Sequence, residues 1–138
     1  MKTPRLILAL LALTFVIAPQ SLRTASAEPN GNYKAKLVSP KAGAVLLPGQ
    51  VVRIEWAAVY PAVDLTMCET EILLSLDGGR TYSFISSLRD PSVHHFDWIV
   101  PRSPTRSAVL DIRFGCLGIY PESYSPQIQS TFEISEMN

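Results

Sequence analysis

Apolar and polar side chains alternate along much of this chain with a period of two. Over residues 51–57, Val52, Ile54 and Trp56 fall on one side while Arg53 and Glu55 fall on the other. Successive strand side chains point to opposite faces, so this pattern predicts a strand with one buried face. The same parity selects Ile72, Leu74 and Leu76, then Phe96, Trp98 and Val100, then Leu110, Ile112 and Phe114, then Phe132 and Ile134. Strands are predicted over Lys34–Val38, Val45–Leu46, Val51–Ala57, Glu71–Leu76, Tyr82–Ser87, His95–Val100, Ala108–Cys116 and Ser130–Ile134. Turn residues separate them: Pro40 with Gly43, Pro48-Gly49, Gly78-Gly79, Asp90-Pro91, Pro101 with Pro104, and Pro121 with Pro126. No segment keeps a 3.6-residue period for three turns. Short strands at this cadence predict an all-β antiparallel sandwich of about seven to eight strands. Its core is expected to hold Ile54, Trp56, Leu74, Trp98, Ile112, Phe114 and Phe132.

The first residues follow another pattern. Lys2 and Arg5 precede an apolar run from Leu6 to Ala18, and Ala25-Ser26-Ala27 supplies a small-x-small site before Glu28. This order reads as a cleaved secretory signal over 1–27, the apolar run being shorter than the roughly 20 residues of a spanning helix. The expected product has no transmembrane anchor and is secreted or periplasmic. Residues 28–32 form a polar lead-in with Pro29 and Gly31, and 33–138 form one domain. Without residues 1–27 the chain keeps nine basic against twelve acidic residues, a net charge of −3. That balance lacks the basic footprint nucleic acid requires, so no nucleic-acid partner is expected.

Cys68 and Cys116 are the only cysteines, and an oxidising destination predicts that they pair. Cys68 shares the inward parity of Ile72 and Leu74, and Cys116 that of Ile112 and Phe114. If those strands are antiparallel neighbours, like the third and sixth strands of an immunoglobulin-like sandwich, the sulfurs meet at one end of the sandwich, joining two strands of the same sheet or the loops beside them. The antibody bridge, by contrast, crosses between sheets.

Five segments in order resemble an extracellular immunoglobulin-like or fibronectin type III-like repeat. It is related to the Ser/Thr-rich yeast cell-wall glucan-assembly domain and also occurs in bacterial secreted proteins. They are Val38-Ser39-Pro40 with Gly43 and Gly49, Ile54-Glu55-Trp56, Leu74 to Gly79, Trp98-Ile99-Val100-Pro101, and Ser130 to Ile134. The resemblance implies an immunoglobulin-like sandwich and an accessory role in the cell envelope; fold alone does not specify activity.

Four constellations carry candidate chemistry. Ser75, Asp77, Gly79 and Thr81 fit an Asp box, S-x-D-x-G-x-T, in which the carboxylate braces a tight turn; this structural role is expected in preference to a calcium or sugar site. His94, His95 and Asp97 invite a metal reading, but adjacent strand residues face opposite ways, so no metal is expected. Glu69 and Glu71 could pair as glycosidase carboxylates, yet no cleft is indicated and no G-x-S-x-G elbow exists, so neither catalysis nor a cofactor is expected. Tyr60, Tyr120 and Tyr124 lie in the loops flanking the two cysteines, where aromatics either cap the core or stack on a ligand. The expected function is a secreted non-catalytic module that binds cell-surface polysaccharide or another exported protein. A structural or spacer protein of the envelope is the alternative.

Overall fold

A computed structural model describes residues 32–137. The predicted signal over 1–27 and most of the lead-in lie outside these residues. Among the described residues nine strands form two packed sheets: β1 (Lys34–Ser39), β2 (Val45–Leu46), β3 (Val51–Val59), β4 (Cys68–Ser75), β5 (Ser83–Leu88), β6 (His95–Ile99), β7 (Thr105–Cys116), β8 (Tyr120–Ser123) and β9 (Phe132–Ile134). One sheet has the order β1-β3-β6; the other runs β2-β9-β7-β4-β5, with β8 pairing the end of β7. This is an all-β sandwich, and eight of its strands occupy the predicted segments. No helix among the described residues is long and apolar enough to cross a membrane.

The period-two parity sorts the core as expected. Ile54, Trp56, Ile72, Leu74, Trp98, Val100, Leu110, Ile112, Phe132 and Ile134 meet between the sheets, and Phe114 is fully buried with the cysteine pair. Leu76 departs from the prediction. β4 stops at Ser75, and Leu76 lies past the strand end with its side chain exposed. β7 departs the other way: Val109 and Asp111, on its outward side, are buried too. The chain folds back over that face. The position of a side chain on Gly79 would collide with Ile128 and the Tyr82 hydroxyl, and the Arg113 guanidinium lies against the rings of Tyr82 and Tyr124.

The ninth strand, β8, lies in a segment whose Pro121 reads as a turn signal. It is an outer strand on β7, where one missing amide donor is tolerated. Beyond it, side chains tie the two sheets together. Gln127 is buried; its Oε1 accepts from the Leu37 amide at 2.8 Å, and its Nε2 donates to the carbonyls of Ala35 (3.1 Å) and Ser125 (2.7 Å). Ser125 Oγ accepts from the Ala35 amide at 3.2 Å. These groups occupy the edge of β1 that a further strand would otherwise pair.

Candidate binding site at the disulfide end

β4 and β7 are antiparallel neighbours paired continuously from Cys68↔Cys116 to Ser75↔Val109. The cysteines are therefore directly opposite at the end of the ladder, and they form a disulfide within one sheet. Phe114, two residues before Cys116, turns inward by parity and becomes the centre of an aromatic cluster. Tyr33 stacks on it at 5.0 Å between ring centroids, Tyr60 tilts against it at 4.9 Å and Tyr120 at 5.7 Å.

Of the three predicted tyrosines, the structure brings two together. Tyr60 donates its hydroxyl to the Pro91 carbonyl at 2.6 Å and touches His94 Nε2 at 3.3 Å; burial pushes its phenol pKa up. The Tyr120 hydroxyl accepts from the Tyr33 amide at 3.2 Å. Both rings close this end of the core. Tyr124 is not with them: it lies 61% exposed with its ring against Arg113. Tyr33, which the sequence reading did not single out, is more deeply buried than any of the three. It donates to the Ile112 carbonyl at 3.1 Å, and burial first, with Tyr60 and Asp111 nearby, holds its phenol far above the usual range.

Beside this plug the outer face of the sheet opens into a groove of about 820 Å³, lined by residues of the turns before β4 and after β7 and by the adjoining strands. Tyr120 borders it, as do Met67, Leu117, Ile119 and Pro121. Gly115 lies in its wall, where a Cβ would sit 3.2 Å from Glu122 Cα; the absent side chain lets β8 close onto β7. Glu69, Glu71 and Glu122 supply carboxylates and Arg89 and Arg113 guanidiniums. Arg113 bonds Asp111 at 2.7 Å and Glu122 at 3.2 Å, and Glu69 accepts from the Ser87 hydroxyl at 2.7 Å. Burial, and then the charges of Glu122 and Glu69, push the Glu71 carboxyl up. Glu69 and Glu71 thus line an open groove of mixed charge.

The remaining constellations sit elsewhere. At the far end of β4, the Asp77 carboxylate accepts from the Thr81 hydroxyl (2.7 Å) and amide (2.9 Å), the Ser75 hydroxyl (2.7 Å) and the Arg80 amide (3.1 Å). Gly78 and Gly79, with φ of 74° and 91°, make the turn. Each of these hydrogen bonds to Asp77 comes from its own hairpin. His94 packs beside Tyr60 and Trp56, while His95 faces outward with Asp97, which is committed to Arg53 at 2.8 Å. Among the described residues no group of three or more His, Cys, Asp or Glu could hold a metal. No family model matches the chain and no curated protein does, so the geometry of this end is what bears on function.

Proposed function

We propose that this chain is an exported, non-catalytic binding module of the cell envelope, and that it engages another exported protein through its disulfide end. The observation that carries the reading is the groove beside Tyr120, bordered by exposed aliphatic side chains on turns that the disulfide anchors. Exposed apolar surface with a polar rim is typical of contact surfaces, and a rigid scaffold carrying short turns is a common way to present one. A disulfide and a signal-like N-terminus both suit an oxidising compartment. The resemblance to extracellular immunoglobulin-like repeats adds an envelope context.

The spacer reading draws on a different observation. Tyr60 and Tyr120 use their hydroxyls internally and so serve the fold. Capture from a native envelope extract separates the two readings. The immobilised mature protein is expected to retain a partner in stoichiometric amount, and a Leu117→Ser, Ile119→Ser variant of unchanged melting temperature is expected to lose it. No retention by either would favour the spacer, and equal retention by both would move the contact away from the disulfide end.

A further inference from the structure

The disulfide end carries an aliphatic tip that the fold holds rigid and leaves uncovered. Met67 closes the short 3-10 turn before β4, and Leu117 and Ile119 flank Gly118 in the turn from β7 to β8. Their exposures are 53%, 82% and 53%. The Leu117 amide donates to the Met67 carbonyl at 3.1 Å, so a backbone bond joins the two turns one residue beyond the Cys68–Cys116 bridge. The Ile119 amide donates back to the Cys116 carbonyl at 3.1 Å, and Gly118 takes the φ of 69° that this closure needs. Much of the ordering entropy that a loose loop would lose on contact has already been lost on folding, which favours association.

Charge decides what can cover this tip. Glu69, Glu71 and Glu122 line the groove behind it. Arg113 is already shared between Asp111 and Glu122; Arg89, the other guanidinium of the groove, forms no ion pair among the described residues, and neither does Glu69 or Glu71, so three carboxylates against two guanidiniums leave the lining net negative. An anionic lipid surface would meet these carboxylates with like charge. A second copy docking tip to tip would do the same. A protein surface with an apolar recess and basic neighbours matches both parts of the site.

We propose that the tip of Met67, Leu117 and Ile119, with the carboxylate groove behind it, docks into an apolar recess flanked by Lys or Arg side chains on a different protein. This rests on the binding-module reading above and adds the chemistry of the partner. The aliphatic side chains supply the desolvated centre of the contact, and the carboxylates fix orientation and exclude acidic surfaces.

Photo-crosslinking in the producing cell tests it with the full chain. A benzophenone amino acid replaces exposed Pro121, bordering the groove, or exposed Lys36, on the other sheet, as the control position. The expected result is an adduct from position 121, absent from position 36, joined to one other protein at a peptide containing Lys or Arg. Adduct yield should fall about tenfold with Leu117→Ser and Ile119→Ser and about threefold with Glu69→Gln and Glu71→Gln, with melting temperatures unchanged in the purified variants. A protein adduct whose yield ignores the Glu→Gln changes would overturn the basic-partner inference and leave the binding module standing. An adduct to lipid, polysaccharide or a second copy would overturn it as well. Absence of any adduct from either position would sink the binding-module reading itself.

Discussion

The two ends of β4 solve the same problem, closing a sandwich, in opposite ways. At the Ser75 end a single carboxylate gathers four hydrogen bonds, all from residues of its own hairpin. At the Cys68 end closure is covalent and aromatic: the bridge to Cys116 and the rings of Tyr33, Tyr60 and Tyr120 around Phe114 seal the core. The segments that bring Tyr60, Val63, Leu65 and Tyr120 onto this seal leave Met67, Leu117 and Ile119 exposed on the outside. An end closed by a self-satisfied polar hairpin has little left over for a partner, whereas one closed from within can present its surface.

Each end can be broken separately, and the expected effects differ in size. Replacing both cysteines with Ala should cost about 4 kcal/mol, the chain-entropy value for a bridge between positions 48 apart. Urea unfolding checks this; a loss below about 1 kcal/mol would mean that the aromatic plug alone closes this end. Tyr60→Ala should destabilise by about 2 kcal/mol, less than a fully buried aromatic because the ring is only half-buried. Asp77→Ala should lower the melting temperature by a few degrees while leaving capture of a partner intact, since the box lies at the other end of β4.

Acid should act on the same hairpin. Hydrogen bonds from Thr81, first from its hydroxyl and then its amide, and from Ser75 hold the Asp77 carboxyl well below the usual carboxylate range. A carboxylate depressed in the folded state contributes stability that is complete above its unfolded pKa of about 4 and is lost as pH falls toward the folded value. The melting temperature should therefore fall below about pH 4, and fall less steeply in Asp77→Asn. The smallest effect is expected at Tyr124: Tyr124→Ala should change stability by no more than about 0.5 kcal/mol, because that ring lies outside the core, mostly exposed against Arg113. A large loss there would show that the Arg113 cluster is part of what holds β8 in place.

Much of this was legible in the alternation of residues. Parity along β3, β4, β6 and β7 placed Trp56, Ile72, Trp98 and Ile112 inside, and put both cysteines on the inward side at matching ends of neighbouring strands. Parity missed Val109 and Asp111 because it reads one strand at a time, whereas their burial comes from chain segments folding back over the outer face. β8 was hidden by Pro121, a residue that reads as a turn unless an outer strand position excuses its missing amide. Gln127 gave no signal at all: a lone polar residue between strands looks like a loop until β1 presents unpaired backbone groups to it.

The site divides along the same line. Local sequence determined that the chain would form short strands with one apolar face, that Asp77 would brace its own hairpin, and that aromatics would gather near the cysteines, because all three depend on spacing within a few residues. Only the tertiary structure decided that Tyr60 and Tyr120 close the core while Tyr124 stands apart, and that Met67 and Leu117 meet beside a groove lined by Glu69, Glu71 and Glu122. Those outcomes depend on which turns the β4–β7 register brings together, and a register between strands some 40 residues apart is set by the packing of the whole core.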